Sequence, residues 1–248
     1  MSNKINYGID APKVIRNLIV AGVLCLCVAF FAIPCIKIDW LQPFSGSFLW
    51  TGIGCILYGM LMIWYGRFGK LKHRERLLAL HQFKGNEQVL DVGTGRGLMM
   101  IGAAKHLQDG RSIGIDIWND EDLSGNHVEN ALQNARLAGV IDKVEIRNEN
   151  ILHTSFPENH FDLIVSNLCL HNIYNAQQRA DACREIFRIL KHGGETIISD
   201  FRHTAAYRKT FEELGMETEK FGPYFFDTFP ALTILLQKRI KRIARIVM

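Results

Sequence analysis

The stretch VLDVGTGRG, residues 89–97, is a short apolar strand sequence that runs into three glycines at alternate positions. An apolar helix-like sequence, LMMIGAAKHL, follows from Leu98. Glycines between a strand and a helix allow a tight turn and let the backbone approach a ligand closely. The free N–H groups at a helix start also attract polar or negative ligand groups. The stretch therefore predicts a ligand-binding turn between a buried strand and a helix.

Strand-like and helix-like segments alternate on both sides of this turn. The predicted strands are QVLDVG, SIGIDI, KVEIRNE, FDLIVSN, ETIISDF, METEKF and ALTILLQ. The predicted helices besides LMMIGAAKHL are RERLLALHQF, HVENALQNARLAGV, AQQRADACREIFRIL, which should end at His192-Gly193-Gly194, and TFEELG. Such alternation indicates parallel pairing and helices on both faces of the sheet. The predicted fold is a Rossmann-like three-layer α/β sandwich with a mostly parallel seven-stranded sheet.

Two aspartates help to identify the ligand. Asp116 ends the second predicted strand, where a carboxylate can accept hydrogen bonds from both hydroxyls of a ribose. This feature alone would also fit a nicotinamide-dependent oxidoreductase. Asp91, however, precedes the glycines where dinucleotide folds usually have an apolar residue, and the glycine spacing is G-x-G-x-G rather than G-x-G-x-x-G.

Four blocks in order resemble the motifs of the class I S-adenosylmethionine (SAM) dependent methyltransferases. They are Val89–Gly97, Ile115–Ile117, Asn148–Ile173 and Arg184–Phe201. The resemblance covers about residues 71–238 and is closest to the subgroup that contains quinone-biosynthesis and arsenite methyltransferases. It implies a SAM-dependent methyltransferase with SAM as its cofactor.

The resemblance also implies roles for individual residues. Asp91 would organise the glycine turn and meet the methionine end of SAM, and Asp116 would bind the ribose. Asn150 stands where the family often has an aspartate that accepts from the adenine amino group, and its side-chain oxygen can still accept. The predicted cofactor-binding residues are Asp91, Gly93, Thr94, Gly95, Gly97, Asp116, Ile117, Asn150, Ile151 and Asn167.

Catalysis needs little beyond positioning, because the methyl group of a sulfonium is already activated. His171, in a segment that lines the active site of relatives, is a candidate general base, although a histidine there can also only shape the pocket. Trp118 can equally press on adenine or pack at the surface. The six cysteines show neither a C-x-x-C pair nor a zinc-ligand spacing, so no metal site is predicted.

Two uncharged runs precede this domain, at about residues 17–36 and 46–66. Each is long enough to cross a bilayer as a helix. Basic residues flank the pair, and the positive-inside rule then places both chain ends in the cytoplasm; these residues are Lys4, Lys13, Arg16, Arg67, Lys70, Lys72, Arg74 and Arg76. The sequence thus predicts a membrane anchor over residues 1–70 and a cytoplasmic catalytic domain over residues 71–248, at the cell membrane.

The two runs have competing interpretations as a cleaved signal peptide or as core helices of a soluble protein. Anchoring favours a small-molecule or lipid-like methyl acceptor, and a net charge of +4 is too small to indicate nucleic-acid binding. An aromatic-rich segment either caps an acceptor pocket or packs at the sheet edge; it holds Tyr207, Phe211, Phe221, Tyr224, Phe225, Phe226 and Phe229. Arsenite chemistry is disfavoured, since only Cys169 and Cys183 lie in the catalytic part. A SAM-binding membrane sensor without transfer activity remains the alternative function, and the oligomeric state is open.

Overall fold

The computed structural model describes residues 4–36, 42–119, 123–224 and 232–239. Seven strands form one sheet in the order β3-β2-β1-β4-β5-β7-β6. Their bounds are β1 Gln88–Val92, β2 Arg111–Asp116, β3 Val144–Asn148, β4 Phe161–Asn167, β5 Leu190–Asp200, β6 Met216–Tyr224 and β7 Leu232–Arg239. The predicted Rossmann-like, mostly parallel sheet is confirmed.

The strand directions distinguish this sheet from a dinucleotide-binding one. Strands β1 to β5 pair in parallel, whereas β7 runs antiparallel to both β5 and β6. A dinucleotide-binding Rossmann sheet has the parallel order 3-2-1-4-5-6. The inserted antiparallel strand therefore disfavours the oxidoreductase alternative.

Helices cover both faces of the sheet. Their bounds are α1 Pro12–Cys27, α2 Ile33–Ile36, α3 Phe44–Trp64, α4 Lys70–Leu78, α5 Leu98–Ala104, α6 Val128–Leu137, α7 Ala176–Ile189 and α8 Thr204–Glu213. Alternate residues of β1 point to opposite faces. Leu90 joins a core cluster with Ile186 of α7 and Phe211 of α8, and Val89 joins one with Leu77 of α4 and Met99 of α5.

The start of β5 differs from the prediction. The predicted helix AQQRADACREIFRIL ends within one residue of α7, but the expected turn at His192–Gly194 lies inside β5, which begins at Leu190 directly after the helix. Leu190 pairs with Phe161 of β4, and a register shift absorbs the extra residues before Leu163 pairs with Glu195. The glycines thus form an irregular part of the strand, because Gly193 takes a φ of 82°.

The two apolar runs form long helices. α1 continues through a π-helical stretch at Val28–Ala32 into α2, and α3 continues through another at Tyr65–Gly69 into α4. Within the described residues, two helices are long and apolar enough to cross a membrane by length and composition: Pro12–Ala32, with a mean hydropathy of 2.4, and Phe44–Leu78, with 1.6. The first helix begins five residues before the predicted span, since Pro12 suits a first helical turn.

Glycines let α1 and α3 pack closely as a hairpin. A Cβ atom added at Gly22 would lie 2.9 Å from the carbonyl oxygen of Gly52, and one added at Gly52 would lie 2.9 Å from that of Gly22. Gly59 similarly faces Ile19 of α1, at 3.1 Å from the added Cβ. Small residues at a crossing allow backbones to approach, as in membrane helix pairs.

The second apolar helix runs directly into the α/β domain. Leu77 and Leu78 of α4 are buried in the core, and Nε2 of His73 lies 2.6 Å from Oγ of Ser199 on β5. The boundary expected between residues 70 and 71 therefore falls at the start of a helix that is continuous with α3. That domain division stays a prediction.

Candidate cofactor and active site

The turn after β1 is held by the side chain of Asp91. Its Oδ2 accepts hydrogen bonds from Oγ1 of Thr94 and from the backbone N–H of Met100, both at 2.8 Å. The backbone N–H groups of Gly93 and Thr94 donate to the carbonyl of Ile115 on the neighbouring strand, at 2.9 and 3.0 Å. This carboxyl group thus ties the turn to the start of α5, as the prediction that it organises the turn requires.

Burial shifts the protonation equilibrium of the Asp91 carboxyl group. The residue is 1% exposed, and burial, opposed by the bonds from Thr94 and Met100, raises the pKa of its carboxyl group to about 7. Desolvation penalises a buried charge. The group is therefore partly protonated near neutral pH before any cationic ligand arrives.

Asp116 links the tip of β2 to the same turn. Its Oδ2 accepts from the backbone N–H of Gly95 at 2.8 Å, and its Oδ1 accepts from that of Trp118 at 2.8 Å. Asn126 donates more weakly to Oδ1, at 3.4 Å. Oδ2 keeps a further lone pair, and the long bond from Asn126 to Oδ1 can give way to a second hydroxyl, so ribose hydroxyls can still bind to the half-buried group.

A pocket of about 200 Å³ opens above the carboxyl ends of β1, β2 and β4. Such an opening is where open α/β sheets bind their ligands. Nine of the ten predicted cofactor residues line it: Asp91, Gly93, Thr94, Gly95, Asp116, Ile117, Asn150, Ile151 and Asn167. The tenth, Gly97, is not in the wall; it has a φ of 84° and starts α5, so its role is in the turn.

The walls carry groups suited to an adenosyl ligand. Ile117 is 61% exposed at the pocket, which leaves an apolar surface for a flat ring. Oδ1 of Asn167 is buried; the nearby hydroxyl of Tyr65 is close enough to interact with this side chain, but neither atom has an aligned hydrogen bond. A buried acceptor without an aligned donor is costly, and the ammonium of a methionine moiety would be such a donor. The residues present therefore fit SAM.

Asn150 is only partly available. Its Oδ1 already accepts from the backbone N–H of Leu152 at 3.0 Å, and its second lone pair is the one left for adenine. Glu149 also lines the pocket, but its carboxylate is bonded to the backbone N–H and hydroxyl of Ser155 at 2.9 and 2.6 Å. The direct adenine contact of Asn150 stays a prediction.

His171 lies beside the pocket and is not part of its wall, which its neighbour Asn172 lines. Nδ1 of His171 is 2.9 Å from Oδ1 of the fully buried Asp200, although the contact is not aligned as a hydrogen bond. The same carboxylate accepts from the backbone N–H of His171 at 3.1 Å. An acid at this position can orient an imidazole and fix its tautomer.

The described aromatic residues that were considered for the pocket lie outside its wall. Trp118 is half-buried and is not in the pocket wall. Tyr207 and Phe211 are buried in one core cluster, and Phe221 and Tyr224 pack against another. These four pack against the sheet and do not line the pocket; Phe225, Phe226 and Phe229 lie outside the described residues.

The sequence reasoning gave no pocket role to several of the lining residues, among them Tyr7, Asp10 and Lys70. The first two precede α1, and Lys70 starts α4 directly after the second apolar helix. Lys70 and Arg74, expected among basic residues flanking the spans, are buried here. No local signal identifies these positions, because only tertiary contact brings them to the glycine turn.

No group of three or more His, Cys, Asp or Glu side chains is arranged to hold a metal ion within the parts of the chain that the structure describes. The prediction of a metal-free site rests on the sequence as before.

The strand order, the glycine turn and the acid at the tip of β2 define a domain of the class I SAM-dependent methyltransferase type. A model of the methyltransferase domain matches residues 83–245. The chain therefore belongs to this family, and the predicted resemblance is confirmed.

Relatives show where in the family the chain falls. It is 33% identical over 125 residues to a demethylmenaquinone methyltransferase of Lactiplantibacillus plantarum, an alignment that covers 50% of this chain and 49% of that protein. The chain thus matches about half the length of this relative.

Solved structures support the fold. A SAM-dependent methyltransferase from Aquifex aeolicus aligns with a TM-score of 0.55 at 18% identity, covering 69% of this chain and 92% of that one. A geranyl diphosphate C-methyltransferase from Streptomyces coelicolor, solved with Mg²⁺, geranyl diphosphate and S-adenosyl-L-homocysteine, aligns with a TM-score of 0.56 at 16% identity, covering 68% and 78%.

Proposed function

We propose that this protein is a membrane-anchored enzyme that transfers a methyl group from SAM to a lipophilic acceptor of the quinone-precursor type, on the cytoplasmic side of the cell membrane. One observation carries the proposal. The pocket suited to SAM, with Asp116 at the tip of β2, lies beside the ends of two apolar helices. The similarity to a demethylmenaquinone methyltransferase supports the class of acceptor.

The chain's own residues would divide the work of binding. Asp116 would accept hydrogen bonds from the ribose hydroxyls, Ile117 would cover one face of adenine, and Asn167 would accept from the methionine ammonium. SAM itself supplies a methyl group on a positively charged sulfur that leaves as a neutral thioether. Because the cofactor is activated in this way, orientation is the protein's main contribution.

His171 would remove a proton when the acceptor must lose one. Asp200 lies within 2.9 Å of its Nδ1, so Nε2 would be the atom that accepts the proton from the acceptor. The carboxylate would then stabilise the charged ring. A positioned histidine base contributes typically 10²- to 10⁴-fold in rate.

The exposed surface of the hairpin supports membrane insertion. Only 17% and 11% of the residues in the two most apolar windows are buried, whereas core helices of a soluble protein are mostly buried. Large apolar side chains face outward along both helices, among them Leu24, Phe31, Trp50, Leu57 and Met60. Such a surface is stable in lipid and costly in water.

The segment before α1 argues against a cleaved signal peptide. The backbone N–H of Ile9 donates to Oγ of Ser124 at 2.8 Å, and Asn134 exchanges hydrogen bonds with the backbone of Asn6 at 3.0 and 2.9 Å. Cleavage after the first helix would remove these contacts. They also keep the segment before α1 and the catalytic domain on the same side of the membrane, as a hairpin requires.

The place of the pocket supports a lipophilic acceptor. Asp10 in its wall lies two residues before α1, and Lys70 follows the second apolar helix. A Cβ added at Gly66 would lie 3.7 Å from the Cα of Ile9 and 4.0 Å from Oδ2 of the pocket residue Asp10, so the pocket wall lies against the helix where it leaves the apolar region. An acceptor dissolved in the bilayer would reach such a pocket without crossing water.

The test uses the full chain in lipid nanodiscs with SAM labelled in its methyl group and a quinone precursor that lacks one ring methyl. We expect label in the solvent-extractable quinone, and at least about tenfold less with Asp116→Ala at a SAM concentration well below saturation, since a lost charge-assisted hydrogen bond weakens binding by about that factor. Tight SAM binding without transfer to this precursor or to any extractable lipid from a membrane fraction would contradict the enzyme and favour a sensor. Release of the protein from membranes by alkaline carbonate would contradict the anchor.

A further inference from the structure

We propose that Lys70 binds the carboxylate of the cofactor's methionine moiety, and that Asp10 holds Lys70 in place for this purpose. The two residues flank the apolar hairpin, so the cofactor site is completed by the membrane anchor. The inference rests on the proposed binding of SAM and assigns a specific part of that ligand to residues outside the family's motifs.

The first observation is that the ammonium of Lys70 is buried and that its neighbours neutralise its charge only in part. Lys70 is 3% exposed, and its Nζ lies 3.0 Å from the carbonyl oxygen of Tyr7 and 3.2 Å from Oδ2 of Asp10. An ammonium has three N–H donors, and these contacts use two of them. The side chain of Asp10 is 32% exposed, so water weakens its compensation of the buried charge.

The second observation is the position of Lys70 relative to the sheet. His73, three residues later on α4, contacts Ser199 of β5 at 2.6 Å. Ser199 pairs in register with Asn167 at the tip of β4. Residues three apart lie on the same face of a helix, so Lys70 lies at the β4 side of the pocket.

Asp116 marks the side of the pocket opposite to Lys70. It ends β2, which is separated from β4 by β1, so the ribose end of the ligand belongs there and the methionine end belongs near β4. At that end Asn167 offers a buried oxygen without an aligned partner, and Lys70 offers a positive charge. An acceptor and a cation together match the ammonium and the carboxylate of an amino acid.

Among the described residues, one other cation lines the pocket, and it is placed elsewhere. Arg96 follows Gly95 in the turn, and its Nη1 donates to the carbonyl of Ser124 at 3.3 Å. A Cβ added at Gly125 would lie 3.4 Å from the same nitrogen. Its guanidinium therefore lies by the segment after β2, on the ribose side, and Lys70 is the cation on the side of Asn167.

The test measures binding of two ligands to the full chain in nanodiscs by calorimetry. One ligand is S-adenosylhomocysteine, and the other is S-adenosyl-3-thiopropylamine, the same molecule without its carboxylate. For Lys70→Met we expect the affinity for S-adenosylhomocysteine to fall at least about tenfold, as for a lost charge-assisted hydrogen bond. The affinity for the amine should stay within about threefold of that of the unmodified protein, because this ligand has no carboxylate for Lys70 to bind. Lys72→Met, at an exposed lysine on the same helix, is the matched control and should change neither.

Equal losses for both ligands would show that Lys70 only supports the fold, and unchanged affinity for both would also overturn the proposal. Lys70→Gln, which keeps a donor and removes the charge, serves as a second variant if Lys70→Met fails to fold, with the same expected selectivity between the ligands. Absence of binding by the unmodified protein would instead contradict the proposed function itself, and this result is distinguishable because it needs no variant.

Discussion

The backbone N–H of Gly95 donates a 2.8 Å hydrogen bond to Oδ2 of Asp116. The bond joins the turn after β1 to the tip of β2, the two elements that would hold the ribose. Asp116 therefore has two roles, since the carboxylate that faces the ligand also fixes the turn that the ligand contacts.

Replacing Asp116 with alanine should weaken S-adenosylhomocysteine binding by at least about tenfold, because hydrogen bonds to a charged group contribute about 1.5–3 kcal/mol. Calorimetry on the full chain measures this. Asp109→Ala, at an exposed aspartate just before β2, should leave the affinity unchanged. Equal affinity of the Asp116 variant and the unmodified protein would remove Asp116 from the site.

Asp91 should make the cofactor-free protein less stable as the pH rises. Burial raises the pKa of its carboxyl group from 3.8 to about 7, so the folded state binds the proton more tightly than the unfolded chain does. The resulting stability is fully present below pH 4 and is lost between about pH 4 and 7. The full effect is on the order of 4 kcal/mol.

The variant Asp91→Asn keeps a side-chain acceptor and removes the titration. Thermal unfolding of the cofactor-free protein at pH 4.5 and 7.5 should show a smaller loss of stability over this interval than in the unmodified protein. The same loss in both proteins would show that Asp91 does not carry the effect.

The contact between His171 and Asp200 predicts a loss of turnover when the histidine is replaced. With an acceptor that must lose a proton, His171→Gln should lower kcat by about 10²-fold or more. Affinity for S-adenosylhomocysteine should not change, since His171 is outside the pocket wall. His153→Gln, at an exposed histidine, is the control.

Asp200→Asn tests the positioning role of the acid in the same assay. It should lower kcat by less than His171→Gln does, and Asp200→Glu should restore part of the rate. An unchanged rate in the His171 variant would mean that the histidine only shapes its surroundings.

Two glycines on α3 test the hairpin. A Cβ at Gly52 would lie 2.8 Å from Cγ of Leu26 and 2.9 Å from the carbonyl of Gly22, whereas one at Gly54 would meet nothing within 4 Å. Gly52→Leu should therefore separate the helices and cost about 1–3 kcal/mol, while Gly54→Leu should be neutral. Thermal unfolding in nanodiscs measures both, and equal melting temperatures would contradict the packing.

Much of the cofactor site was predictable because its geometry is local. The glycine turn and Asp91 are separated by a few residues, and Asp116 comes at the end of the next strand. The sequence pattern therefore places all of them at one edge of a parallel sheet. The antiparallel direction of β7 was not predicted, since periodicity alone does not tell a parallel strand from an antiparallel one.

The remainder depends on contacts between distant parts of the chain. Lys70 has the sequence context of a basic residue after a membrane span, and only the return of the segment around Asp10 turns it into a pocket residue. The sequence places Asp200 in a predicted strand and gives it no partner. Its proximity to His171 depends on the pairing of β5 with β4. The start of β5 was misplaced because the pairing of Leu190 with Phe161 outweighs the turn preference of two glycines.

The most direct test is a calorimetric titration of the full-length protein in nanodiscs with S-adenosylhomocysteine, with NAD as the comparison ligand. We expect saturable binding of one S-adenosylhomocysteine per chain, in competition with SAM, and no binding of NAD. A titration without measurable binding of S-adenosylhomocysteine or SAM to the folded protein would contradict this expectation.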